Sequence, residues 1–356
     1  MGSLIAIFHP ITRRRMRLIT YLAVLIVVLV IVPASSVFAH SPIFPEENHD
    51  PTHAYQINNP TKSWAIYTTL DHTDKGDYYK FIMSKGDKIE IALMASESPS
   101  VSGFLPSFAL MVPGSSEKNS LPPYIEVPAG YGTMVVNGTD PGKASYEPFS
   151  PGWLYELVDL TINAPQDGTY YIVVYDNAQK TGNYGLPVGY IESYTPTEFI
   201  LIPYNVHTVY TWEGQNLFVT YLPLTLALVV GGIVVYWRSR RGKAPKGVSK
   251  WLAAFAGLAF LGTTAGMIYQ TFLALNATGY TTAVFITLIF VIIGIILGVL
   301  TLMYALREKP ALTVGRRVSL VVIGLFALVS WSGLYIGTVL AIIAAVMPSY
   351  SALKDR

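Results

Sequence analysis

The polarity pattern of this 356-residue chain changes character twice. Residues 18–32 form a fifteen-residue apolar run behind Arg13, Arg14, Arg15 and Arg17, closed by Pro33 and the small residues around Ala39. That layout predicts a secretory signal over residues 1–39, whose removal would leave His40 first; an uncleaved signal-anchor is the alternative. Residues 40–61 follow as a histidine-containing segment. Over 62–193 the chain breaks into short runs rich in Tyr, Ile, Val and Phe, at 64–70, 78–83, 88–94, 107–112, 155–162, 169–175 and 184–191. Gly, Asp and Asn turns separate them, and 88–93 alternates strictly between polar and apolar. Seven such strands without an intervening helix predict an antiparallel β-sandwich, jelly-roll-like, around one core. Tyr78, Tyr79, Tyr170, Tyr171 and Tyr175 are expected to pack that core rather than to offer a platform for sugars.

Beyond residue 216 the alternation disappears. Apolar runs at 217–237, 251–275, 283–306 and 318–347 contain no Asp, Glu, Lys or Arg. Each reaches the ~20 residues that cross a ~30 Å hydrocarbon layer, so the sequence predicts a four-helix transmembrane bundle. Gly262/Gly266, Gly294/Gly298 and Gly333/Gly337 set small residues four apart, a spacing that suits close helix packing within the bundle, with a partner membrane protein or in a homo-oligomer. Between sandwich and bundle, 194–216 is an amphipathic linker. Thr195-Pro196-Thr197-Glu198 starts a helix there with a capping box, and Pro203 is expected to break it.

Charge gives this layout a direction. Residues 40–216 hold 20 Asp/Glu against 8 Lys and no Arg, whereas six Lys/Arg crowd 238–250, four crowd 307–317, and none lies in 276–282. Short basic loops stay cytoplasmic. The first span is therefore expected to run inward, the fourth to end outside with 348–356 as an outer tail, and 40–216 to face away from the cytoplasm. Asn137 and Asn276 head sequons on that outer side, usable in a host that glycosylates. Across the chain 52% of residues are hydrophobic and 13% charged, with mean hydropathy +0.42 and no cysteine. An acidic outer segment excludes nucleic acid as a partner, and the lack of thiols excludes disulfides and thiolate metal sites.

Two stretches resemble a known family. Gly76-Asp77-Tyr78-Tyr79-Lys80-Phe81 with 85–91, and 167–175 with Thr181-Gly182-Asn183-Tyr184-Gly185-Leu186, are similar to the opening and closing strands of the bacterial and archaeal pre-peptidase C-terminal domain. The resemblance covers about 62–190, with a Pro/Gly/Ser-rich insertion at 95–153. It implies a non-catalytic accessory module.

Candidate chemistry is confined to the outer segment. His40, His49, His53 and His72 stand close in sequence among Glu46, Glu47, Asp50, Asp71 and Asp74. Imidazoles with carboxylates suit copper or zinc. A first-residue His40 could chelate through its amine and ring, with His49 or His53 completing a three-nitrogen brace. Asp71, Asp74 and Asp77 are weighed for calcium and read as a solvated turn. No nucleophile-elbow, zinc-protease or phosphate-loop motif is present, so an enzyme is not expected. The bundle has no charged residue, and Gln270, with Thr263, Thr264 and Tyr269, is its most polar point. The leading expectation is a non-enzymatic recognition or assembly protein, an accessory subunit of a membrane complex; the alternative is an extracytoplasmic copper or zinc binder.

Overall fold

The computed structural model describes residues 40–308 and 313–347, so the expected signal (1–39) and outer tail (348–356) lie outside the described residues. Strands β1 (Ser41–Ile43), β3 (Trp64–Leu70), β11 (Gly182–Val188), β5 (Lys88–Ala95), β9 (Gly152–Asn163) and β8 (Ser145–Glu147) form one sheet in that order. The second sheet runs β2 (Tyr55–Gln56), β4 (Asp77–Met83), β10 (Gly168–Asp176), β6 (Pro106–Pro113) and β7 (Tyr131–Val136). The alternation anticipated for β5 is there: Ile89, Ile91 and Leu93 point inward. They meet Phe81, Phe108, Leu110, Tyr170 and Ile172 of the other sheet in one buried core.

All seven expected strands are present, but the sandwich is not wholly antiparallel. β1 pairs parallel with β3, and β2 parallel with β4. Parallel neighbours cannot be joined by a tight hairpin. Here the chain alternates between the sheets, so each parallel pair is linked through a strand of the opposite layer. Tyr78, Tyr79, Tyr170 and Tyr175 are buried, as expected of packing residues. Inside the 95–153 segment lie α1 (Pro99–Ser102) and strands β6 to β8.

The linker holds a helix, α2 (Pro196–Trp212), with the expected capping box: Glu198 N–H donates to Thr195 Oγ1 at 3.2 Å and Thr195 N–H to Glu198 Oε2 at 2.7 Å. It does not break at Pro203. A proline has no N–H for the carbonyl four residues back, and here the Tyr335 hydroxyl donates to that carbonyl, on Phe199, at 2.6 Å. Both ends of α2 are fastened to the first sheet. Lys62 Nζ donates to Glu198 at 2.6 and 2.8 Å, and Trp212 Nε1 donates to the carbonyls of Thr68 and Tyr184.

Among the described residues three helices are long and apolar enough to cross a membrane: α3 (Leu217–Arg240), α4 (Val248–Thr278) and α5 (Val284–Ala305). The bundle has a sandwich end and a basic end. At the first, Thr287 Oγ1 donates to the Pro148 carbonyl at 2.6 Å and Gln270 Nε2 to Gln215 Oε1 at 2.7 Å. At the other, Arg238 reaches the Leu306 carbonyl and Lys250 the Arg307 carbonyl.

The expected fourth span, 318–347, is not one helix. α6 (Val314–Val329) stops, and Trp331, Gly333, Leu334 and Tyr335 take positive φ of 49–74° around a short 3₁₀ turn (Ser332–Tyr335). The chain then returns as α7 (Ile336–Val346). The two pack as an antiparallel hairpin, and Arg317 Nη1, near the start of α6, donates to the carbonyls of Ala345 and Met347 at 2.5 and 2.6 Å. At 1.5 Å per residue the arms measure about 24 and 17 Å, short of the ~30 Å needed to cross. Ser330, Ser332 and Gly333 sit at the break, where helix propensity is weakest. Met347, the last described residue, therefore lies at the basic end, where Ser249 Oγ also donates to Ala344.

The glycine pairs are spent inside this arrangement. A Cβ on Gly262 would overlap Leu224 of α3, on Gly294 Thr264, on Gly298 Leu261, and on Gly333 or Gly337 Phe260. Only Gly266 of the six faces open space, so these stripes do not form a free surface for a partner.

Candidate functional site

The four expected metal-ligating histidines part company in the fold. His40 precedes β1, half-buried, with its Nδ1 2.5 Å from Ser63 Oγ, just before β3. Burial lowers its pKa, against a smaller pull upward from Glu90. His72 follows the far end of β3. The seven residues of β3 separate Ser63 from Asp71, eight steps of ~3.3 Å or about 26 Å, so His40 cannot share an ion with His72. His53 turns into its own loop, where Nδ1 lies 2.7 Å from Asp50 Oδ2. The Thr52 hydroxyl and His53 hold Asp50 well below the usual carboxylate range. Among the described residues His40 is thus not grouped with His49, Asp71 and His72.

What the fold brings together is His49, Asp71 and His72. One ligand atom of each lies within 4.8 Å of the others, and the two imidazoles meet edge to face at 4.5 Å between centroids. The loop before β2 supplies His49, and the turn between β3 and β4 supplies the other two. His72 Nε2 lies 3.3 Å from Asp71 Oδ1. Two ligands each ~2.0–2.1 Å from a tetrahedral ion stand about 3.3–3.4 Å apart, so that pair already has the spacing of a chelate edge.

The support behind His49 is more specific than the trio itself. His49 Nδ1 is 2.9 Å from Asp77 Oδ1, which fixes the ring and leaves Nε2 for a ligand. Asp77 is buried at the first residue of β4, and its other oxygen accepts from the Tyr184 hydroxyl at 2.7 Å. Tyr184 Oη in turn lies 2.5 Å from Tyr79 Oη. Burial pushes the Asp77 carboxyl up, and the bonds from Tyr184 and His49 pull it back. A carboxylate behind a ligating imidazole is the usual outer-shell arrangement of His-bound metals. Asp74 and Asp77, the other members of the calcium triplet, are not among the grouped ligands; Asp74 is exposed and Asp77 points inward.

Sequence reasoning did not find Tyr184, which stands 107 positions from Asp77. It also missed a polar junction beneath the sandwich. Glu147, opposite Gly152 across β8 and β9, and Glu213, whose carboxylate rests on Gly152, are both partly buried. Desolvation raises Glu147 to about 7 and Glu213 to about 8. Gln215 Nε2 donates to Glu213 Oε2 at 2.8 Å and links it to Gln270, so the most polar residue of the bundle belongs to this junction. Asn137 and Asn276 are exposed, the first on the sandwich and the second at the sandwich end of α4.

Neither a protein-family model nor a curated protein matches the chain. Solved structures do. The pre-peptidase C-terminal domain of a collagenase from Bacillus anthracis is 20% identical and covers 40% of this chain and 96% of that one, at a TM-score of 0.22. CorA, a surface-associated copper-binding protein important in copper acquisition in Methylomicrobium album BG8, is 14% identical over 41% of this chain and all of that one, at 0.22. The copper-binding secreted protein MopE of Methylococcus capsulatus is 12% identical over 33% and 70%, at 0.18. At TM-scores this low, none of the three bears on function.

Proposed function

We propose that the chain is a multi-pass membrane protein that holds a copper or zinc ion on an outward-facing β-sandwich, through His49, His72 and Asp71, and that it acts as a binding and assembly component rather than an enzyme. The observation that carries this reading is the buried Asp77 behind His49. A histidine pair in a solvated loop needs no such backing, whereas a ligating imidazole does. Two nitrogens and one oxygen suit zinc or copper(II) and leave a coordination position open for exchange. The outward orientation follows from the basic loops at the opposite end of the bundle.

The test is metal loading of the purified full-length protein after chelator treatment and desalting. About one zinc per chain is expected, displaced by copper(II) as the general affinity order requires. His49→Ala and His72→Ala should each lose the ion, while His40→Ala and His53→Ala keep it. Substoichiometric metal in the wild type, or equal loading in all four variants, rejects the site.

A further inference from the structure

The break in the α6–α7 hairpin has a partner in the space beside it. α3 and the hairpin each lean on α4, and between them lies a cavity of about 330 Å³. Leu224 and Leu228 of α3, Phe255 and Ala259 of α4, and Leu334 and Leu340 of the hairpin line it. That volume lies at the small end of the ~300–1,000 Å³ of ligand pockets. No polar side chain faces it, and the Gly333 N–H at the break is already taken by Thr263 Oγ1 at 2.9 Å. Water has no partners there, and apolar cavities stay dry.

Leu224 and Leu228 sit near the middle of α3, and Ala259 lies about 17 Å along α4 from its first residue, so the cavity is close to the bilayer centre. Of its own lining residues, Phe255 of α4 is 40% exposed and Ile336 of the hairpin 64%. The mouth therefore opens sideways among side chains that themselves meet lipid. An empty apolar gap forfeits dispersion contacts on every wall. The chemistry available at this depth to fill it is hydrocarbon.

We infer that the cavity between α3 and the α6–α7 hairpin is a binding site for one acyl chain of a bilayer phospholipid, which wedges the re-entrant hairpin against the first span. The reading is independent of the metal site.

The test uses full-length protein in mild detergent, delipidated, incubated with dioleoylphosphatidylcholine and weighed intact by native mass spectrometry. The wild type should retain one phospholipid at detergent levels that strip annular lipid. Leu228→Trp, which fills the cavity, should lose that adduct, and Leu340→Ala, which enlarges it, should keep it. Val230→Trp, on the exposed face outside the cavity, should behave as wild type. Gel filtration and circular dichroism confirm that each variant is folded. A wild type without a retained phospholipid, a free fatty acid or a second copy of the chain in its place, or an adduct equally stable in Leu228→Trp would each overturn the assignment.

Discussion

At the scale of single residues, the chemistry turns on Asp77. Its carboxylate is almost fully buried, held by one tyrosine hydroxyl and one imidazole. Asp77→Asn keeps the shape but removes the charge behind His49, and Tyr184→Phe removes the second support. Loss of such outer partners weakens metal affinity about 10–100-fold. Both variants are therefore expected to bind zinc with unchanged stoichiometry and a dissociation constant raised by that factor, measured by competition with a chromophoric chelator. Unaltered affinity in both would mean that the trio works without its backing and would remove the main argument for the site. His49, His72 and Asp71, which the fold brings together, were all among the sequence candidates. The sequence could not say which histidines meet. His49 and His53 are close in number yet diverge, while His49 and His72 are joined by the return of β3 into the turn before β4. Tyr184 arrives from the other end of the domain through the pairing of β11 with β3, which no local pattern encodes.

At the scale of elements, legibility followed period and punctuation. Strands with alternating or aromatic runs were visible, and so was the start of α2, because a capping box is a local pattern. The two- and three-residue strands β1 and β2 were not visible, since they are defined by the neighbours they pair with. Pro203 misled for a related reason: the carbonyl it leaves unpaired is satisfied by Tyr335 from the hairpin tip, 132 positions later. The polar junction adds a pH dependence at this scale. Glu147 and Glu213 titrate near 7 and 8 in the folded protein against an ordinary 4.5, because burial disfavours their charged forms. The folded state thus keeps protons that the unfolded chain would release. That contribution to stability is full below about pH 4.5 and is lost as the pH climbs through about 8. Glu213→Gln fixes the uncharged form and keeps an oxygen to accept from Gln215. It should match the wild type near pH 5 and exceed it by about 2 kcal/mol at pH 9, a part of the ~1.4 kcal/mol per pH unit that a full shift would give. Thermal unfolding in detergent at the two pH values reads this directly; a wild type no less stable at pH 9 than at pH 5, with no gain in the variant, would contradict it.

At the scale of the whole molecule, the consequential difference from the sequence expectation is the number of crossings. Hydropathy averaged over the thirty residues of 318–347 registers neither the serines at 330 and 332 nor the glycine at 333. Nor does it register that Arg317, at the entry of α6, will pair with carbonyls at the exit of α7. Three crossings and a hairpin place Met347 beside the basic loops; four crossings would place it with the sandwich. The chain has no cysteine, so single substitutions report sidedness without background. Lys143→Cys on the sandwich and Tyr280→Cys between α4 and α5 mark one side, and Lys243→Cys between α3 and α4 marks the other. In sealed right-side-out vesicles an impermeant maleimide should label the first two, and should label Lys243→Cys and Met347→Cys only after permeabilisation. The comparison turns on one position, because Lys143, Tyr280 and Lys243 keep the same sides in either topology. If Met347→Cys were labelled together with Lys143→Cys in sealed vesicles, the hairpin would have to open into a true fourth span. The carbonyls of Ala345 and Met347 would then be torn from Arg317, and the acyl-chain cavity, which exists only because α7 turns back, would vanish with it.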